Sequence, residues 1–142
     1  MFSTKMISEN VNSSVYETIL IEDFFNEYIC KCTISINKNT GVWTISQWYA
    51  NKEYQHQGYG RMTMKELVNT LYKIQKPTSI NYIWNNVNQY VLDWLIKHFE
   101  ARLSDEAIRI LKYLNEDVKE GHQYILNKDL FLKYFNIEWK IH

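Results

Sequence analysis

Apolar and polar side chains alternate most cleanly over Tyr28–Asn37. Tyr28, Cys30, Cys32, Ile34 and Ile36 fall on one side, and Lys31, Thr33, Ser35 and Asn37 on the other. A period of two residues predicts a half-buried antiparallel strand. Asn37-Lys38-Asn39-Thr40-Gly41 has the composition of a hairpin turn, which makes Val42–Ala50 the partner strand. A weaker alternation over Tyr16–Glu22 predicts a strand before the hairpin. After Ala50 the period changes. Met64, Leu67, Val68 and Leu71 share one stripe of a helix over Arg61–Gln75, with Arg61, Lys65, Asn69 and Lys73 outside it. Pro77, the only proline, disfavours helix at Lys76 and closes that segment.

Ser79–Trp84 reads as a short strand. Asn86 can cap the next helix, Gln89–His98, whose apolar face is Val87, Val91, Trp94 and Leu95. Ser104 can cap a further helix with Ala107, Leu111, Leu114 and Val118 on one stripe. His122–Leu126 and Ile137–Ile141 read as strands, with a short helix over Lys128–Phe135 capped by Asn127. The passage from Val42–Ala50 through a helix to Ser79–Trp84 predicts a parallel crossover inside an otherwise antiparallel sheet. The expected fold is mixed α/β (α+β), a mostly antiparallel sheet flanked by helices.

A chain of 142 residues suits one domain over residues 1–142. Its formal net charge of +0 comes from 16 basic and 16 acidic side chains, with no Lys/Arg cluster on a single face. That argues against nucleic acid as a partner, because capture needs several cations aimed at phosphates. Residues Met1–Asn10 hold no long apolar run and do not read as a signal peptide; no window reaches membrane-spanning length. Cys30 and Cys32 share one face of a strand and read as buried thiols, which points to the cytoplasm. His98, His122 and His142 have no metal-ligand spacing, and no metal is expected.

The candidate chemistry sits in Gln55-His56-Gln57-Gly58-Tyr59-Gly60, which holds two of only four glycines. A glycine loop that opens a helix leaves backbone N–H groups beside the positive end of the helix dipole, a ready anion site. The alternative is an ordinary strand-to-helix turn. A dinucleotide fingerprint fails, since Thr63 stands where its third glycine would be and no acid ends Ser79–Trp84. A nucleotide P-loop fails too, as no Gly-Lys-Ser/Thr follows.

Gln55-x-x-Gly58-x-Gly60, after a hairpin strand and opening a helix, resembles the acetyl-CoA pyrophosphate loop of the GNAT superfamily of N-acetyltransferases. Trp84-x-x-x-Asn88 with the helix after it resembles that family's strand-to-helix segment for the pantetheine arm. The resemblance spans about residues 42–99, leaving 100–142 as a variable part. It implies acetyl-CoA as cofactor and acetyl transfer to a primary amine, of a protein or a small molecule. Backbone N–H groups of Gln57, Gly58, Tyr59, Gly60 and Arg61 would cradle the pyrophosphate, within the loop of Gln55 and His56. Trp48, Tyr49 and Ala50 would pair with the arm, and Asn88 would bond its thiol end.

The family's usual tyrosine acid falls here on Leu95, and its closing Gly-Phe reads Lys97-His98-Phe99-Glu100. Tyr90 is the tyrosine nearest that position. For the base, Glu53, Glu22, Glu27 and His56 are the ionisable candidates, with Glu53 preferred because it follows the cofactor strand. The segment before Tyr28 is too short for the two helices the family inserts there. The aromatics Tyr124, Phe131, Tyr134, Phe135 and Trp139 read mainly as core; they also suit a rebuilt acceptor wall or a homodimer interface. A second reading keeps the fold without the reaction, as a non-catalytic acyl-CoA-binding or protein-interaction module.

Overall fold

A computed structural model of the chain describes residues 1–21, 28–55, 57–84, 89–114 and 121–137, with Gln89 and Tyr90 by backbone alone. The chain divides into two units, Met1–Thr78 and Ser79–His142. The first holds β1 (Phe2–Glu9), β2 (Ser13–Ile21), β3 (Tyr28–Asn37), β4 (Val42–Ala50) and α1 (Tyr59–Ile74). The second holds β5 (Ser79–Ile83), α2 (Gln89–Phe99), β6 (Arg102–Leu103), α3 (Asp105–Leu114), β7 (Gln123–Leu126) and α4 (Lys128–Tyr134). The class is the expected mixed α/β one, with a mostly antiparallel sheet.

In the first unit the strands pair antiparallel in chain order. The even residues of β3 lie under α1: Cys30, Cys32 and Ile34 are fully buried and Ile36 nearly so. On β4 the residues facing α1 change parity, from Trp43 and Ile45 to Trp48 and Ala50. The pairing explains how. Ile34 lies opposite Ile45 but Thr33 lies opposite Gln47, so the register skips Ser46. This β-bulge shifts the strand by one residue and returns its apolar side chains to one face.

Both tryptophans then reach α1. Trp43 Nε1 donates to Gln75 O at 3.1 Å, at the end of the helix, and Trp48 Nε1 donates to Gly60 O at 2.9 Å, at its start. Between them Met64, Leu67, Val68 and Leu71 are fully buried, the stripe the spacing predicted. Thr63 is buried as well, its hydroxyl donating to Tyr59 O at 2.8 Å.

β1 is not legible as alternation. Met6 and Ile7 are adjacent, a register shift falls between Met6 and Ser8, and most of the strand is exposed. It is an edge strand held by its ladder to β2 rather than by burial. No helix separates β1 from β2; Asn10 Oδ1 accepts from Asn12 N and Ser13 N and closes a tight turn. Glu22–Glu27 lie outside the described residues.

In the second unit β7 pairs antiparallel with both β5 and β6. Ser104 caps α3 through Ala107 N at 3.1 Å, and Asn127 caps α4 through Leu130 N at 3.0 Å, as expected. Two stripes differ from expectation. On α2 the deep positions are Leu92, Leu95 and Phe99, with Val91 and Trp94 half-buried. On α3, Ala107 and Leu111 are buried but Leu114 is exposed at the helix end. Aromatic rings pack between α2 and α4, with Phe99 5.3 Å from both Phe131 and Tyr134. Most of the C-terminal aromatics are thus core. Asn86, Val87, Val118, Trp139 and all but Ile137 of the strand expected over Ile137–Ile141 lie outside the described residues.

Two outcomes follow. Ile45→Ala, beneath the middle of α1, should cost about 2–5 kcal/mol by urea denaturation, the range for a truncated, fully buried side chain. Gly58 is the N-cap of α1 at φ 82°. Gly58→Ala should cost about 1–2 kcal/mol by the same measurement, because a Cβ opposes left-handed backbone; no loss would mean that the turn relaxes to another conformation.

Candidate functional site

The loop between β4 and α1 is built from short-range constraints. Asn51 begins it by accepting from Lys52 N through its side chain, and a single 3-10 turn runs over Lys52–Tyr54. Gln55 Nε2 donates back to Ala50 O at 3.3 Å, and Gln57 Nε2 to Glu53 O at 3.5 Å. The Tyr54 and Tyr59 rings meet edge to face, 6.0 Å apart, across the base of the loop. His56 lies outside the described residues.

At α1's first turn no side chain caps the helix and no acid is present; Arg61 is there instead. The positive end of a helix dipole favours negative charge. Gly60 faces the indole of Trp48, where an added Cβ would sit 3.4 Å from Nε1. Its carbonyl accepts the indole N–H, and Cys32 Sγ lies 4.0 Å from the same oxygen. Burial pushes the Cys32 thiol well above its ordinary pKa, so it stays neutral there. Both cysteines are free and fully buried, as expected. The glycine loop therefore rests on the sheet through backbone atoms, leaving its N–H groups directed by helix geometry.

Among the expected site residues, Trp48 and Ala50 face α1, whereas Tyr49 points to the opposite face of the sheet. Glu53 is exposed on the 3-10 turn. Tyr90 is in the first turn of α2 with only its backbone described, and Asn88 lies outside the described residues. Leu95, at the position of the family's tyrosine, is fully buried.

The sheet face opposite α1 carries a group that sequence reasoning missed. Lys31 Nζ stands 3.6 Å from Glu17 Oε2, and only 9% of the Glu17 side chain is exposed. Lys31 also lies 5.8 Å over the Tyr28 ring. Tyr28 and Tyr49 share a hydrogen bond between their hydroxyls, which raises the Tyr49 pKa above its ordinary value. Beside them Thr33 Oγ1 donates to Gln47 Oε1 at 3.0 Å. The available signal was Glu17 inside a run of β-formers. A lone glutamate there reads as a solvent-facing residue, and only the register with Lys31's strand brings the pair together.

Among the described residues no cluster of His, Cys, Asp and Glu could hold a metal ion, and no helix is long and apolar enough to cross a membrane.

No protein-family model matches the chain, and no curated protein does. Solved structures do. Tetrahymena GCN5 superposes with a TM-score of 0.52 at 12% identity, over 79% of this chain and 67% of that one. N-acetylglutamate synthase from Neisseria gonorrhoeae, solved with coenzyme A and N-acetyl-glutamate, gives 0.52 at 12%, over 78% of this chain but 25% of that one. The KacTA–DNA complex gives 0.53 at 12%, over 96% of this chain and 99% of that one. The chain thus spans a quarter of the synthase's length and nearly all of the KacTA chain's. At these identities the likeness is one of architecture, and it agrees with the order of elements around the glycine loop. The chain has the GNAT fold.

Proposed function

We propose that this protein is an N-acetyltransferase that moves an acetyl group from acetyl-CoA to a primary amine. The observation that carries this reading is the first turn of α1: a left-handed glycine N-cap, no side-chain cap, no acid, and an arginine, after an antiparallel hairpin strand. These residues fit a polyanion such as a pyrophosphate. When bound, acetyl-CoA would supply the activated acyl carbonyl as a thioester.

In this reading the N–H groups of Gln57, Gly58, Tyr59, Gly60 and Arg61 hold the pyrophosphate. The backbone of Trp48, Tyr49 and Ala50 holds the pantetheine arm as an added strand does, and an N–H there holds the acyl oxygen. Asn88 holds the thiol end. Glu53 takes the proton lost by the amine, and Tyr90 returns one to the departing thiol. Buried Glu17, paired with Lys31, is a second carboxylate for the amine on the face opposite α1. The tight β1–β2 turn leaves no wall of helices at that point, which suits a bulky acceptor, a protein or another macromolecule. One neighbour was solved as a DNA complex; the balanced charge of this chain favours a protein acceptor over bare nucleic acid.

A specific observation supports the non-catalytic alternative: fully buried Leu95 offers no hydroxyl where the family places its acid. Loss of an acid need not stop the reaction, since a thiol leaves with a pKa near ~8.5.

Calorimetric titration with acetyl-CoA, followed by thiol release against a panel of amines and lysine peptides, tests both. Binding with release supports the transferase, binding without release across the panel supports the acyl-CoA-binding module, and no binding sinks both cofactor readings and leaves the protein-interaction module. Gly60→Glu should abolish binding with its circular dichroism spectrum retained; unchanged affinity would reduce the loop to a turn. Trp48→Phe keeps the ring and deletes the bond to Gly60 O. It should lower stability by about 1 kcal/mol and weaken acetyl-CoA severalfold; an unaltered affinity would show that the loop holds its shape without the indole.

A further inference from the structure

Strand register sets an amine of the chain beside the strand assigned to the cofactor arm. Lys31 on β3 lies directly opposite Tyr49 on β4 and Ile19 on β2. Residues so opposed stand about 5 Å apart at Cα, with both side chains on one face. Here that face is the one turned away from α1. Glu17 is two residues from Ile19 along β2 and shares the face. Its Oε2 is 3.6 Å from Lys31 Nζ. The Glu17 side chain is 9% exposed and that of Lys31 29%, so the carboxylate is withdrawn from water while the amine still meets it. The Tyr28 ring, 5.8 Å from Nζ, bounds a further side of the amine. Lys38 makes the contrast: its partner Glu9 is 50% exposed, an ordinary surface ion pair.

A primary amine, a sheltered carboxylate beside it and an opening to solvent are the parts that an acetyl acceptor needs. Resting on the acetyltransferase reading above, we propose that Lys31 is an internal acceptor: the protein acetylates its own Lys31 Nζ from bound acetyl-CoA, with Glu17 as the proton acceptor. The flexible four-carbon stem lets Nζ turn from Glu17 toward the neighbouring strand. The Lys31 ammonium gives one proton to Glu17, and the freed lone pair attacks the thioester carbonyl carbon. An N–C bond forms and the C–S bond breaks. Coenzyme A leaves as a thiolate and takes the second proton lost by the nitrogen, while Glu17 returns its own to solvent. The product is acetyl-lysine and free thiol, with no change of oxidation state. Lys31 loses its charge, so Glu17 loses its cation.

Incubation of the full chain with deuterated acetyl-CoA, then chymotryptic digestion and mass spectrometry, gives the occupancy of each lysine with time. Label should enter Lys31 at least about tenfold faster than Lys73 and Lys76, exposed lysines near the end of α1 that report reaction from free solution. The Lys31 rate should not depend on protein concentration, as befits a reaction within one molecule. Gly60→Glu, which blocks the loop, should bring Lys31 down to the rate of Lys73. Glu17→Gln should slow Lys31 labelling about tenfold or more, with acetyl-CoA affinity by calorimetry at the wild-type value, which separates loss of the base from loss of fold. Labelling of Lys31 no faster than of Lys73, a rate that rises with protein concentration, or an excess that survives Gly60→Glu would overturn the inference. So would an unslowed Glu17→Gln. If wild type itself fails to bind acetyl-CoA, the cofactor reading fails first and this inference with it; if wild type binds and acetylates added amines but leaves Lys31 unmodified, only this inference fails.

Discussion

Two indole hydrogen bonds from one strand hold α1 by its ends. Trp48 reaches Gly60 O at the start of the helix and Trp43 reaches Gln75 O at its close. The two tryptophans are five residues apart, so in a regular strand they would face opposite ways. The skipped residue, Ser46, corrects that parity. The bulge is thus a condition for the seating of the helix, and the helix N-terminus is the centre of the candidate site. A strand irregularity two residues before Trp48 determines where the glycine loop lies.

The same constraint accounts for the chemistry of the loop. The sheet holds Gly60 through its carbonyl, while side-chain bonds from Asn51, Gln55 and Gln57 shape the loop before it. A side chain at Gly60 would meet the indole, and one at Gly58 would oppose its left-handed backbone. What remains is a helix start with no side-chain cap and with Arg61 in its first turn, the end of a helix that favours negative charge. On the other face of the sheet the Glu17–Lys31 pair and the two tyrosine hydroxyls gather polar groups near the carboxyl end of β4.

Much of this was legible from side-chain order. The β3–β4 hairpin, the α1 stripe and the caps at Ser104 and Asn127 follow from local rules that need only neighbours along the chain. The bulge was present as a change of parity from Trp43 and Ile45 to Trp48, although a strand span alone does not reveal it. β1 stayed hidden because an exposed edge strand leaves little apolar pattern, and β6 because two residues carry no period. The Glu17–Lys31 pair is a product of register between strands. On α2 the spacing predicted a helix, yet burial chose Leu92 over Val91, since neighbouring elements decide which of two adjacent apolar stripes turns inward.

The central claim is that the first turn of α1 binds the cofactor's pyrophosphate. The chain holds four glycines, and two of them form that turn, so amide NMR of glycine-labelled protein during titration with coenzyme A tests it most directly. The Gly58 and Gly60 signals should shift and saturate together while those of Gly41 and Gly121 stay in place. Saturable binding that moves Gly41 or Gly121 and leaves Gly58 and Gly60 unmoved would contradict it.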